Sequence, residues 1–420
     1  MAAKKTVKKV VLAYSGGLDT SICVPWLRET YGCEVICFTA DIGQLGDLEE
    51  LEEKALNSGA SQVIVRDLKE EFASEYLFRM LRAGAVYEQK YLLGTAISRP
   101  IIAKHQVEIA THLNADALAH GGTGLGNDQV RFELAYMALD PRFRVIAPWR
   151  EWDIRSRVEA IQYAEAHNIP VPANLSTRYT RDHNLWHLSH EGGPLEEAWD
   201  EPEEPMYLLS ASPSEAPEEP AYIEIEFEAG TPAAIDGMKM APAALLTHLN
   251  TLGSVHAIGR MDVIENRLIG LKSHGVYETP GGTILFHALR ELESLVLDKA
   301  SLYHMTQAGV TYGQLIYDGC WFSPLREALD AFTDNLLQTA TGKVSLKLYK
   351  GNIIPVGRRS PFSLYREDLA AYGKEDIYDQ SLAEGSIYQM GLASKVRALN
   401  RLTLEGNNIP KPDFSSFKRD

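Results

Sequence analysis

Cysteine is scarce: four in 420 residues cannot supply a disulfide framework, and Cys33, Cys37 and Cys320 lie in apolar sequence, so no thiolate chemistry is implied. Cys33 and Cys37 stand four apart in an apparent strand, a spacing that puts both on one face and predicts shared burial. Long apolar runs are missing too. None approaches the ~18 residues that cross a bilayer, and Lys4, Lys5, Lys8 and Lys9 adjoin a strand of Val7, Val10, Val11 and Leu12 with no apolar signal core. A cytoplasmic protein with no membrane partner is expected. Basic charge is in short supply: 41 basic against 57 acidic side chains leave a net charge of −16, with no local basic patch, which argues against a nucleic-acid partner. His183, His187 and His190 are spaced four and three apart, but Asn184 and Gly192-Gly193 favour an irregular loop and no His-Glu-x-x-His occurs, so no resident metal site is predicted. Gly-x-x-x-x-Gly-Lys is absent throughout, which removes the Walker A mode of phosphate binding and its lysine.

What is present begins at Val10-Val11-Leu12-Ala13-Tyr14-Ser15-Gly16-Gly17-Leu18-Asp19-Thr20-Ser21. An apolar strand enters a turn rich in glycine and hydroxyls, and the turn opens onto a helix, so backbone N–H groups converge on one spot suited to phosphate. Apolar runs at 7–14, 33–40, 61–66, 116–120 and 143–147 alternate with helical patterns at 19–31, 47–58, 68–83, 99–113 and 127–139. That alternation predicts an α/β domain with a parallel sheet. Ligands of such sheets gather at the carboxyl ends of the strands. The loops at 15–21, 40–44 and 120–124 all follow strands and are expected on one rim. The run Glu49, Glu50, Glu52 and Glu53 is read as a solvated helix face.

Past Pro170 and Pro172 the texture changes. A segment at 200–220 rich in proline and glutamate is expected as a surface excursion. A strand at 221–227, helices at 242–252 and 281–308, and a hairpin of 344–349 with 352–356 turned by Lys350-Gly351 predict a second, α+β domain. The expected division is 1–170, 171–395 and a C-terminal helix and arm at 396–420. The helical pattern at 386–402 presents Ile387, Met390, Leu392, Val396 and Leu399, and the arm ends in Pro410-Lys411-Pro412.

The second strong signal is His120-Gly121-Gly122-Thr123-Gly124-Leu125-Gly126-Asn127-Asp128-Gln129-Val130-Arg131-Phe132-Glu133. Glycines admit a ligand to the backbone, Asn127 and Asp128 can cap the next helix, and Arg131 follows one turn on, a setting suited to carboxylates. The spacing Gly122-x-Gly124-x-Gly126 is not a dinucleotide fingerprint. With the opening loop, Phe38-Thr39-Ala40-Asp41-Ile42-Gly43-Gln44, Tyr91-Leu92-Leu93-Gly94-Thr95, Asp182-His183-Asn184-Leu185-Trp186-His187-Leu188-Ser189, Ile264-Glu265-Asn266-Arg267 and Val276-Tyr277-Glu278-Thr279-Pro280, this block resembles the argininosuccinate synthase family, in family order across almost the whole chain.

The resemblance implies a nucleotide-binding domain of adenine nucleotide alpha hydrolase-like (HUP) topology, a synthetase domain and a homotetramer. It also implies an ATP-dependent ligation of L-citrulline and L-aspartate, with Mg²⁺ carried on the ATP phosphates. ATP is then expected at Ala13, Tyr14, Ser15, Gly16, Gly17, Leu18, Asp19, Thr20 and Ser21, with Ala40 and Gly121. Citrulline is expected at Tyr91, Asn127, Arg131, Thr180, Ser189, Glu265 and Tyr277, and aspartate at Thr123, Asn127 and Asp128. Ser15, Asp19 and Asp128 are the catalytic candidates, and no dedicated general base stands out. Thr180 replaces a common serine and keeps its hydroxyl. Ala96 and Leu125 stand where serine and lysine are common, and neither is carried over.

Overall fold

In the computed structural model, which describes residues 7–124, 126–154, 156–170, 179–370 and 379–407, the early apolar runs become strands, the inner ones buried on both faces and the edge ones half-buried. β1 (Lys9–Ala13), β2 (Glu34–Asp41), β3 (Gln62–Asp67), β4 (Ala117–Ala119) and β5 (Arg144–Ile146) form one parallel sheet in the order β3-β2-β1-β4-β5. Val11, Ile36 and Phe38 face one apolar cluster while Val10, Leu12, Val35, Cys33 and Cys37 face the other, as side chains alternating across a pleated strand must. The chain moves outward from β1 to β3 and then returns to the far side of β1 at β4. This reversal makes the carboxyl ends of β1 and β4 the crevice where ligands bind in such sheets.

Two antiparallel sheets follow. β6 (Thr180–His183) and β7 (Leu188–Glu191) precede β8 (Ala221–Glu228), β9 (Thr231–Ile235) and β10 (Met238–Lys239), and then come β11 (Arg260–Asn266), β12 (Lys272–Glu278), β13 (Gly342–Tyr349) and β14 (Asn352–Arg359). Their orders are β11-β12-β7-β6 and β10-β9-β8-β13-β14. The β13–β14 hairpin turns at Lys350-Gly351, both at positive φ. One core cluster runs from Val11 and Phe38 through Tyr76 and Leu81 to Leu245, Ile284 and Val344, on both sides of residue 170. Residues Met1–Leu364 form one compact unit and Tyr365–Asp420 a second, whose helix Leu382–Leu404 covers the pattern read at 386–402. Lys4, Lys5, Leu125, Pro172 and the arm at 410–412 lie outside the described residues. Among the described residues no helix is long and apolar enough to cross a membrane.

Three local expectations change. The pattern at 281–308 is two helices, Pro280–Val296 and Lys299–Tyr317, because Asp298 accepts the N–H groups of Ala300 and Ser301 and starts a new helix. The helix expected at 99–113 begins at Gly94, where the Tyr91 hydroxyl, not a conventional cap residue, accepts the Thr95 N–H at 3.0 Å. The proline- and glutamate-rich excursion at 200–220 is anchored, with Met206, Ser210, Ser212 and Ala216 buried. The anchor is Glu278, fully buried, whose carboxylate accepts from the backbone of Leu208, Leu209 and Ser210, from Ser210 Oγ and from His190 Nε2. A buried charge needs that many donors to offset its lost hydration.

Candidate active site

The loop after β1 stands at the crevice. Gly16 takes φ of 75°, and Gly17 precedes the short helix Leu18–Ser21, which leads through Ile22 into the helix Cys23–Tyr31. The first N–H groups of a helix have no carbonyl behind them to reach, so they face the crevice. The hydroxyls brace one another: Tyr14 Oη lies 3.0 Å from Ser21 Oγ, and Ser15 Oγ 3.1 Å from Thr20 Oγ1. Tyr14, Thr20 and Ser21 are buried beneath the turn, Ala13 ends β1, and Ser15, Gly17 and Asp19 are exposed at its mouth with Leu18 half-buried. Ala40 lies near the end of β2, next to β1, and its carbonyl accepts from Gln44 Nε2. The loop after β4 lies against the first one. A Cβ at Gly121 would come within 2.7 Å of Thr20 Cγ2, so the close approach needs glycine. Thr123 and Gly126 continue this turn, the Gly126 N–H donating to the Thr123 carbonyl.

The next helix, Asp128–Leu139, carries the charged centre. Asp128 accepts from Arg131 Nη1 at 3.0 Å and from Arg99 Nη2 at 2.7 Å, and Arg99 also reaches Asp182 at 2.7 Å. Burial pushes the Asp128 carboxyl up, but Arg99 and Arg131 outweigh it and hold its pKa at about 2. Asn127 occupies the cap position without capping. Its Nδ2 donates to Tyr317 Oη at 2.9 Å and its Oδ1 accepts the Leu268 N–H at 3.0 Å, so it ties this loop to later elements and keeps one amide hydrogen for another partner. Arg131, also buried, donates through Nε to the Tyr317 carbonyl and lies over the Tyr317 ring.

The far wall is aromatic. Tyr91 stacks on Tyr277 at 4.4 Å between ring centres, and Tyr317 meets Tyr91 edge-on. Ser189 on β7 pairs across from Tyr277 on β12, and its Oγ accepts the Asp182 N–H. The turn between β6 and β7 is pinned to the start of the Gly94–His112 helix by Asn184 Nδ2 on the Gly94 carbonyl and Trp186 Nε1 on the Leu92 carbonyl. Thr180, exposed at the start of β6, pairs across from Glu191. Glu265 is buried; its Oε1 accepts from Tyr317 Oη at 3.2 Å, while its Oε2 has no partner. Burial and the nearby Glu191 raise its pKa to about 7, against the pull of Arg131 and the Tyr317 hydrogen bond.

The three histidines sit on and between β6 and β7, paired strands where the sequence suggested an irregular loop, and do not converge: His187 Nε2 meets Thr95 Oγ1, His190 meets Glu278 and Arg181, and His183 Nδ1 is buried with no hydrogen-bond partner among the described residues. Arg99, Tyr317 and Lys54 were not singled out from sequence. A charge between Ile97 and Ile101 on an apolar helix was the available signal for Arg99. Tyr317 follows Leu315-Ile316 and reads as core, and Lys54 is lost in an acidic run.

Comparison with known proteins matches residues 9–170 to the arginosuccinate synthase N-terminal HUP domain and residues 179–397 to the arginosuccinate synthase C-terminal domain. The chain is 57% identical to the argininosuccinate synthase of Carboxydothermus hydrogenoformans over 94% of its own length and 98% of that protein. It is 56% identical to that of Roseiflexus sp. over 97% and 99%, and 56% identical to the chloroplastic enzyme of Arabidopsis thaliana over 94% and 80%.

Proposed function

The chain belongs to the argininosuccinate synthase family, and we propose that its opening loop takes ATP while Asp128 and the side of the site bearing Arg131 and Glu265 take the two amino acids. It is an ATP-dependent carbon–nitrogen ligase of arginine biosynthesis that joins L-citrulline to L-aspartate, giving argininosuccinate, AMP and diphosphate through citrullyl-AMP. The ureido carbon is a poor electrophile. Its oxygen therefore attacks the α-phosphate first, diphosphate leaves, and the aspartate amine then displaces AMP.

One observation carries the residue assignment. At the crevice beside a phosphate-type loop, a carboxylate and a guanidinium one helical turn apart present opposite charges, the first suited to the ammonium of one amino acid and the second to the carboxylate of the other. Ser15 and the amides from Gly16 to Ser21 hold the pyrophosphate, with Ala13, Tyr14, Ala40 and Gly121 around the nucleotide. Asp128 receives the aspartate ammonium, with Thr123 and Asn127 on its carboxylates. Arg131 takes the citrulline carboxylate, and Tyr91, Thr180, Ser189, Glu265 and Tyr277 line the rest. Catalysis in this reading is placement and charge stabilisation. Mg²⁺ enters on the ATP phosphates, with exposed Asp19 available to it; among the described residues no cluster of three potential ligands could hold it alone. When bound, the ion would neutralise charge on the departing diphosphate. We further propose a cytoplasmic homotetramer, with residues 1–170 holding ATP and the Asp128–Arg131 side of the amino-acid site, 171–395 completing that site through Thr180, Ser189, Glu265 and Tyr277, and 396–420 serving assembly. Exposed Val396 and Leu404 on the Leu382–Leu404 helix support the last role, and Ile387 and Met390 extend the exposed apolar side chains of that helix toward its start.

The test is diphosphate release from ATP-Mg²⁺ with and without citrulline and aspartate. Release that requires citrulline and accelerates with aspartate is expected; release indifferent to citrulline overturns the assignment. A second prediction follows from Glu265. Its unpartnered Oε2 accepts hydrogen bonds from the substrate more strongly once ionised, and the group is half-protonated at about pH 7. The citrulline KM is therefore expected to fall as pH rises from about 6 to about 7.5, by at most about tenfold per unit. Glu265→Gln, which cannot ionise, flattens that profile, with binding weaker than wild type above about pH 7 and similar to it below about pH 6.

A further inference from the structure

The chain has no Walker lysine, yet the fold brings one to the same place from elsewhere. Lys54 lies on the helix Leu48–Asn57, whose first turn is capped by Asp47. Its Nζ donates to the Gly16 carbonyl at 2.7 Å. Leu51, three residues earlier and on the same face, packs on Gly16 so closely that a Cβ there would sit 3.1 Å from Leu51 Cδ1. The helix thus lies on the loop through two consecutive side chains of one face, while Glu49, Glu50, Glu52 and Glu53 point to solvent.

Two properties taken together distinguish Lys54. Among the described ion pairs it has no carboxylate within 4.0 Å, a property it shares with exposed lysines such as Lys8, Lys90 and Lys299. It is also partly buried, and that desolvation lowers its pKa from the ordinary lysine value. A partly desolvated ammonium without a counter-charge, in a protein of net charge −16, is an arrangement that an anion completes. The hydrogen bond has a steric consequence as well. In a trans peptide the carbonyl and the following N–H point opposite ways, so drawing the Gly16 carbonyl toward Lys54 turns the Gly17 N–H away from it. That N–H has only a long contact, 3.4 Å, with Ser15 Oγ.

We propose that Lys54 is the cation of this phosphate loop, a positioning residue that holds the Gly16–Gly17 peptide with its N–H toward the pyrophosphate and, by polarising that peptide through its carbonyl, strengthens the N–H that meets the leaving group. This rests on the reading that ATP occupies the loop.

The experiment measures product inhibition by diphosphate, with kcat and the three substrate KM values, in the wild type, Lys54→Met, Lys54→Arg and Ser15→Ala. Lys54→Met is expected to weaken diphosphate inhibition and lower kcat by about tenfold each, with the citrulline and aspartate KM values within about twofold. Lys54→Arg, which keeps charge and donors, is expected to stay within about threefold of wild type. Unchanged diphosphate inhibition in Lys54→Met overturns the proposal. If Ser15→Ala weakens inhibition and Lys54→Met does not, Lys54 alone is misassigned; if neither does, the loop reading fails as well. Amine acylation of the wild type gives a readout independent of folding of the variants. Saturating diphosphate is expected to protect Lys54 while exposed Lys90 reacts as before, and equal labelling of Lys54 with and without diphosphate counts against the proposal.

Discussion

Arg99→Met is expected to lower aspartate-dependent turnover by about 10²–10³-fold and to destabilise the protein by about 3–5 kcal/mol. The Arg99 side chain is only 13% exposed and bridges Asp128 and Asp182, each at 2.7 Å. Methionine fills a similar volume but leaves two partly buried carboxylates without their shared cation, and removing one partner of a buried ion pair costs more than the pair itself contributes. The pH dependence gives a signature that simple loss of packing does not. Asp128 has a folded-state pKa of about 2, below its unfolded value, so it contributes stability that is present above the ordinary aspartate range and is lost as pH falls toward about 2. With Arg99 gone only Arg131 opposes the burial of Asp128, its pKa rises, and that contribution shrinks. Thermal unfolding across the acid range should show the variant losing stability at higher pH than the wild type. Arg99→Met with an unchanged acid limb and an unchanged aspartate KM would show that the bridge is dispensable.

Asp128→Asn is expected to separate the two halves of the reaction. Asparagine keeps the shape and one acceptor, enough for either Arg99 or Arg131 but not both, since they use different oxygens of Asp128, and it offers no charge to an ammonium, so aspartate-dependent product formation should fall by about 10²–10³-fold. Citrulline-dependent diphosphate release in the absence of aspartate should fall by less than about tenfold. Alanine is the poorer probe. It would leave Arg99 and Arg131 with no carboxylate between them and disturb the citrulline side through Arg131. A rapid-quench comparison of the diphosphate burst with argininosuccinate formation reads both steps. Equal loss of the two contradicts the assignment of Asp128 to the aspartate ammonium.

Asp128 was visible in the sequence and Arg99 was not, for a physical reason. Asp128 stands in a glycine-rich turn at the start of a helix, where the local chain already restricts what an acid can be for. Arg99 stands inside a helix whose other residues are mostly buried, and its two partners lie 29 and 83 residues away. Asn127 shows the opposite error. Its position at the start of a helix reads as a cap, but its amide is drawn off to Tyr317 and Leu268, 190 and 141 residues on. The β-strands of the first sheet were apparent because burial on both faces demands continuous apolar runs. The single pattern at 281–308 concealed the break at Asp298 because both helices are apolar on a helical period.

Sequence alone therefore determined the chemistry that a few consecutive residues can express: a turn of Ser15-Gly16-Gly17 opening onto a helix, without a Walker lysine, and the residue strings that carry the family likeness. Tertiary structure decided which charged and polar groups come together around that turn. Lys54 meets Gly16 across 38 residues, Arg99 gathers Asp128 and Asp182, and Tyr317 joins Asn127 to Glu265. Such pairings form only when sheet order and helix packing bring distant segments within hydrogen-bond reach, and a linear pattern of polar and apolar residues carries no record of them.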